Sequence, residues 1–287
     1  PDTPIFTAQS NVSGTYGTFA VGTDGVWTYV LNNDTAQSLG GDQRFAETFT
    51  VAATTVDGES VEQLVTVTIT GTEDAPVIAG NASGTVTEDS NLSASGTLIS
   101  TDVDAPDTPI FTAQSNVSST YGTFAITSGG VWTYSLDNDT AQVLAGGEEL
   151  TETFTVAATT ADGESVEQLV TVTITGTEDA PIITGNASGT VAEDGVLTAT
   201  GTLTSTDVDA PDTPIFTAQS DASGTYGTFA ITSGGVWTYN LDNDTAQVLA
   251  GGEELTETFT VAATTADGES VEQLVTIKIT GEEDAPV

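Results

Sequence analysis

Acidic side chains are the groups in this sequence whose spacing could do chemistry. Glu73-Asp74, Glu178-Asp179 and Glu283-Asp284 recur 105 residues apart, each inside a Gly-x-Glu-Asp-Ala-Pro hexapeptide at 71–76, 176–181 and 281–286. The Asp-x-Asp pairs Asp102/Asp104 and Asp207/Asp209 each precede an Ala-Pro, while Glu88-Asp89 and Asp137/Asp139 stand between them. Two carboxylates ~4 Å apart repel by about 1 kcal/mol in water and about 4 kcal/mol at an effective dielectric near 20, so a tight cluster asks for a counter-charge. The chain carries 42 acids against two bases, Arg44 and Lys278, and no histidine, for a formal net charge of −40. That counter-charge must therefore come from solution. Clustered hard oxygens suit Ca²⁺, which takes about six to eight of them, better than Mg²⁺, which dehydrates reluctantly. The Asp-x-Asp pairs resemble the start of an EF-hand loop, but no third ligand, glycine or closing glutamate follows at the required spacing, and that motif is rejected.

The same composition excludes other chemistry. Without histidine or cysteine, and with one lysine, the nucleophile and base constellations that run at neutral pH are missing. A carboxylate pair of the glycoside-hydrolase kind remains. Pairs such as Glu148-Glu149 are too common in so acidic a chain to single one out, and the reading is non-enzymatic. No disulfide or thiolate site can form. Nucleic acid and anionic lipid need Lys/Arg to neutralise phosphate and are excluded as partners. No run of about 18 apolar residues offers a membrane span. The lack of methionine leads us to expect an internal piece of a longer polypeptide whose targeting signals lie elsewhere.

The elements that position these acids repeat with them. Asp2 through Gln9 returns as Asp107 through Gln114 and as Asp212 through Gln219, and segments 107–176 and 212–281 differ at six of 70 positions. A period this long is that of an independent domain rather than a solenoid unit. The expected organisation is a partial repeat at 1–76 lacking its first strands, then complete repeats at 77–181 and 182–287. The junction proline cannot donate to a ladder and pushes the residue before it out of the helical region, so regular structure should stop at each hexapeptide.

Within 77–181, Gly84–Thr87 reads as a first strand and 92–100 as a second, with Leu92, Ala94, Gly96 and Leu98 on one parity. A third runs from about 109 to 115, followed by a loop at 116–120. Phe124 and Ile126, then Trp132, Tyr134 and Leu136, form a hairpin with an aromatic inner face, and 141–145 offers one helical turn. Phe154, Val156 and Ala158 alternate toward Asp162-Gly163, a strong hairpin signal, and Val170, Val172 and Ile174 return from it. Leu169 is out of phase, which predicts a bulge near Gln168. Seven short strands with frequent turns indicate an all-β chain of tandem immunoglobulin-like Greek-key β-sandwiches. Trp27, Trp132 and Trp237 could stack on sugars, but their in-phase neighbours Tyr134 and Leu136 favour core packing.

Tracing strand direction assigns each acid to a domain end. At Glu178-Asp179 the preceding domain offers Glu88, Asp89, Asp137 and Asp139, while the following one offers Asp207 and Asp209, with Asp212 or Asp267 next in reach. At Glu73-Asp74 the set is Asp34 from the partial repeat with Asp102 and Asp104. These are the candidate calcium ligands.

As a set, Gly-Thr-Leu-(x)2-Thr-Asp-Val-Asp (96–104, 201–209), Tyr-Gly-Thr-Phe (121–124), Trp-Thr-Tyr-x-Leu-Asp-Asn (132–138), Glu-Thr-Phe-Thr-Val (152–156) and Thr-Val-Thr-Ile-Thr-Gly-Thr-Glu-Asp-Ala-Pro (171–181) resemble VCBS repeats. These are cadherin-like extender domains of very large bacterial surface adhesins of the repeats-in-toxin type. The resemblance implies an immunoglobulin-like (cadherin-like) sandwich in a secreted, calcium-dependent adhesin at the bacterial cell surface, with roles in attachment and biofilm. It implies neighbouring repeats as partners, and a host or biofilm surface bound through regions outside this chain. The family's usual junction is Thr-Asn-Asp-Ala-Pro; Glu73, Glu178 and Glu283 replace its Asn and turn a neutral oxygen ligand into a charged one. An extender that holds a distal binding domain away from the cell is the first reading. The alternative is a carbohydrate- or surface-binding module that makes the adhesive contact itself.

Overall fold

The computed structural model describes residues 3–283, so Asp284 and the rest of the third hexapeptide lie outside the described residues. In 77–175 the chain builds two packed sheets. One runs Gln114–Ser118, Gly122–Ile126, Val131–Leu136, Ser93–Thr101, Val77–Gly80 in spatial order, and the other runs Ile110–Phe111, Glu149–Thr159, Ser165–Thr175, Ser83–Thr87. Residues 182–280 repeat both sheets strand for strand. The expected tandem all-β sandwich is therefore observed.

Period-two alternation explains the core. Phe124, Ile126, Trp132, Tyr134, Phe154, Val156, Val170, Val172 and Ile174 are all buried, as are their counterparts 105 residues on. Phe124 and Phe154 stack across the two sheets at 4.4 Å between ring centroids and 7° between planes. Trp132 lies over Gly96, where an added Cβ would meet the indole at 2.6 Å, and its Nε1–H donates to the Asn81 carbonyl at 2.7 Å. Glu152 ties the sheets together by accepting from the Tyr134 hydroxyl at 2.7 Å and the Tyr121 N–H at 3.0 Å. Buried Trp132 and Trp237 offer no face to a sugar.

Several expectations of detail are corrected. Each complete repeat has nine strands rather than seven, because the first strand is split: Val77–Gly80 pairs with Ser93–Thr101, then the chain crosses and Ser83–Thr87 joins the other sheet. That second piece runs parallel to Ser165–Thr175. The third strand is likewise split into Ile110–Phe111 and Gln114–Ser118, so part of the expected 116–120 loop is strand, and the bulge falls there, with Asn116 at φ 51°. No register shift occurs at Gln168; the ladder from Glu149↔Thr175 to Thr159↔Ser165 is continuous, and Leu169 simply points to the outer face. The helical turn is Asn138–Ala141, one turn earlier than expected. The Asp162-Gly163 hairpin forms, with Gly163 at φ 105°.

Residues 5–70 build two three-stranded sheets without counterparts of the strands at 77–101. Trp27 and Leu31 are accordingly 46% and 44% exposed, against 0% and 6% for Trp132 and Leu136.

Candidate metal centre

The split first strand and the junction prolines bring the acids of adjacent repeats together. At the junction around Glu178-Asp179, two groups form whose carboxylate oxygens lie within 4.8 Å of one another: Glu88, Asp89 and Asp179, and Glu178, Asp212 and Asp267. Around Glu73-Asp74 the corresponding group is Glu73, Asp107 and Asp162. Glu88 follows the Ser83–Thr87 strand directly. Its N–H donates to the Thr175 carbonyl at 3.2 Å and it accepts from the Thr177 hydroxyl at 3.3 Å. Asp162 and Asp267 occupy the tight Asp-Gly turns that face the junction.

Backbone bonds fix the domains against each other. The Asp74 N–H donates to Asp104 Oδ2 at 2.7 Å, and the Asp104 N–H to Asp102 Oδ1 at 2.9 Å; Asp179, Asp209 and Asp207 repeat both bonds at 2.8 and 3.0 Å. Ala105 donates to the Ser38 carbonyl and Ala210 to the Val143 carbonyl, each at 3.2 Å, so the loop after each Asp-x-Asp pair rests on the preceding domain. Glu73 and Glu178 accept from the N–H groups of Gly41 and Gly146 at 2.6 and 3.0 Å.

The electrostatics are those of a site short of positive charge. Glu88 and Asp209 are 0% and 2% exposed. Glu88 Oε2, Asp102 Oδ2, Asp104 Oδ1, Asp179 Oδ2, Asp207 Oδ2 and Asp209 Oδ1 are buried and find no hydrogen-bond partner among the described residues. Sharing a proton with Asp267 pushes Glu178 up to about 7 and holds Asp267 down at about 2. Glu73 is pushed to about 7 by the same kind of bond to Asp162. Burial raises Glu88, Asp179, Asp209 and Asp212, and the charges of their acidic neighbours add to it. Buried carboxylates without partners are costly, and a divalent cation is the charge that would satisfy them.

Among the residues singled out from sequence, Glu73, Glu88, Asp89, Glu178 and Asp179 lie in these groups, and Asp74, Asp102, Asp104, Asp207 and Asp209 adjoin them through the bonds above. Asp34, Asp137 and Asp139 do not join any of the three groups and are exposed. The place of the last two is taken by the residue between them: Asn138 Oδ1 accepts from the Asp89 N–H at 2.8 Å and its amide donates to Asp89 Oδ1 at 2.7 Å. Asp107 and Asp162 were not singled out, although the 105-residue offset from Asp212 and Asp267 carries that signal.

No curated protein matches the chain. Solved structures similar to it include protocadherin gamma B2 extracellular cadherin domains 1–5, 12% identical with a TM-score of 0.51, covering 99% of this chain and 53% of that one. PcdhgB3 EC1–4 is 14% identical with a TM-score of 0.50, covering 98% of this chain and 67% of that one. Mouse cadherin-23 EC22–24 is 17% identical over 98% of this chain and 86% of that one, with a TM-score of 0.47. The chain spans about half the length of the gamma B2 segment, and at these identities the likeness is one of fold. A family model for the bacterial cadherin-like domain matches residues 73–176 and again 178–281, each match opening at or beside the junction acids. Matched over well more than half its length, the chain belongs to the bacterial cadherin-like domain family.

Proposed function

We propose that this chain is a non-enzymatic extender segment of a large secreted bacterial surface adhesin, built of VCBS-type repeats at 1–76, 77–181 and 182–287 and stiffened by Ca²⁺ at their junctions. The observation that carries the reading is the gathering of buried, partnerless carboxylate oxygens from two domains and their linker at one junction, beside two close carboxylate groups. Glu88, Asp89 and Asp179 would hold one cation. Glu178, Asp212 and Asp267, with Asp207 and Asp209 beside them, would hold another. The ion would supply positive charge and accept these oxygens as ligands, with no covalent chemistry. By locking the linker to both neighbours it turns a hinge into a rod, which keeps a distal binding region away from the cell. Adhesion and biofilm formation, an extracellular place at the bacterial surface, and contact with a host or biofilm surface through regions outside this chain follow from the same reading.

Small-angle scattering and calorimetry on the 287-residue chain, with calcium or with chelator, test it. Affinities of extracellular modules, Kd on the order of 0.1–1 mM, mean that ~10 mM calcium stabilises by roughly 1.4–2.7 kcal/mol per site. The expected result is a larger maximum dimension, a narrower distance distribution and a higher melting temperature with calcium, and a much weaker response to magnesium. An unchanged dimension together with an unchanged melting temperature rules the reading out.

A further inference from the structure

Asn-x-Ser/Thr, with x other than proline, is the acceptor tripeptide for sugars attached to an asparagine amide, and eight of the ten asparagines in this chain stand in one. A chain this rich in Ser and Thr makes some of them by composition alone, so exposure, hydrogen bonds and place in the sheets must sort them. Four drop out. Asn33, Asn138 and Asn243 open the three helical turns, and the amides of Asn138 and Asn243 donate to Asp89 and Asp194 at 2.7 and 2.8 Å. Asn91 donates its amide to the Thr85 carbonyl at 3.1 Å. Asn11, Asn81, Asn116 and Asn186 remain, all exposed, with side-chain N–H groups that bond nothing among the described residues. Asn81 and Asn186 are the better built of the four. The Asn81 N–H donates to the Thr97 carbonyl at 2.9 Å and the Asn81 carbonyl accepts the Trp132 indole N–H at 2.7 Å, so the main chain is fixed on both sides. Its Oδ1 accepts the Ser83 N–H at 3.2 Å, which orients the amide, leaves Nδ2 free and curls the tripeptide around it. Asn186 repeats each of these bonds with Thr202, Trp237 and Ser188.

All four asparagines lie at sheet edges. Val77–Gly80 ends the five-stranded sheet and Ser83–Thr87 ends the four-stranded one, and Asn81 stands in the crossing between them; Asn186 has the same place between Ile182–Gly185 and Ser188–Ala192. Asn116 sits in Gln114–Ser118, the strand at the other end of the five-stranded sheet, where the ladder is bulged and its φ is 51°. Asn11 has the counterpart place in Gln9–Ser13. An end strand offers unpaired N–H and C=O groups to another chain, and tandem units this alike are well-matched partners for such pairing. A bulky, hydrated sugar at the edge blocks it. In the third unit Asp221 stands where Asn116 does in the second, at φ 53°, so that edge carries a charge instead. We propose that Asn81 and Asn186, and with them Asn11 and Asn116, are N-glycosylation sites whose sugars cover the open edges of the sandwiches. The co-reactant is a sugar with a phosphate leaving group on its anomeric carbon. The asparagine nitrogen bonds to that carbon as the carbon–oxygen bond to phosphate breaks; the phosphate leaves with the electron pair, and the nitrogen gives one proton to a base of the transferase.

Peptide mapping by mass spectrometry of the protein from the cells that make it tests the sites. The expected result is sugar on Asn81 and Asn186 at the highest occupancy, on Asn11 and Asn116 next, and none on Asn33, Asn91, Asn138 or Asn243. Ser83→Ala should abolish modification at Asn81 and leave Asn186 modified, with an unchanged circular dichroism spectrum. Unmodified peptides at all four asparagines overturn the proposal, and so does modification of Asn91, Asn138 and Asn243 to the same extent as Asn81 and Asn186. An unmodified Asn11 or Asn116 beside a modified Asn81 and Asn186 strikes that residue alone. The covering of edges is tested on the full chain made in a host without such transferases, compared before and after treatment with an Asn-x-Ser/Thr transferase and a nucleotide-activated hexose. Light scattering at matched concentration should show less association after treatment. Equal association of the two forms overturns the covering role.

Discussion

Asp209 holds Asp179 with one carboxylate oxygen and leaves the other free: Oδ2 accepts the Asp179 N–H at 2.8 Å, while Oδ1 is buried without a partner. Asp104 stands in the same relation to Asp74, at 2.7 Å. A single side chain thus fixes the linker and offers a charge to the junction. Outer-shell partners of a metal cost about 10–100-fold in affinity when removed, so Asp207→Asn with Asp209→Asn should weaken calcium binding by at least about tenfold. Isothermal titration reads the change, and a wild-type calcium response in that variant would remove both residues from the site.

Identical sequence positions should differ widely in stability cost. Trp132→Ala removes a fully buried indole and should cost roughly 3–5 kcal/mol. Trp27→Ala, at a position 46% exposed, should cost under about 1 kcal/mol. Denaturant unfolding followed by circular dichroism compares them, and acrylamide should quench one tryptophan of the three far more than the others.

Segment 1–76 should be the first to be cut in limited proteolysis. Its sheets have three strands each and expose side chains that are buried 105 residues later, so it opens locally at lower cost. Mass spectrometry of the early fragments should find an intact 77–283 core. Early cleavage inside 77–175 would show that the missing strands matter little.

Calcium binding near pH 7 should release protons. Glu73 and Glu178 are held at about 7 by the protons they share with Asp162 and Asp267, so a cation that takes those oxygens displaces up to about one proton per group. Titrations at pH 7 in buffers of different ionisation enthalpy should give different apparent heats, and at pH 9 the heats should converge. The sign for the calcium-free protein follows from the raised values. Its folded form binds these protons more tightly than unfolded carboxyls near 4.3, so this contribution to stability is fully present below about 4 and lost as pH rises through about 7. Melting temperatures in chelator that climb across that window would contradict it.

The inner face of the long strands was legible in the sequence, because alternation of period two is a local property of an extended chain. Phe124, Ile126, Trp132 and Tyr134 could be placed in the core from their parity alone, and the 105-residue offset carried that placement to the next repeat. The junction acids were legible too, since an excess of 40 negative charges with no local counter-charge points to a cation wherever carboxylates meet. What the sequence alone did not decide is which of them meet. Strand direction put Asp137 and Asp139 at the same end as Asp89, but the turn of Asn138–Ala141 aims the residue between them inward, and Asn138 bonds Asp89 instead. Nor did local pattern show that Ser83–Thr87 crosses to the second sheet and runs parallel to Ser165–Thr175. That pairing joins residues almost 90 positions apart, and such choices depend on how two sheets share one core, which only the folded chain resolves.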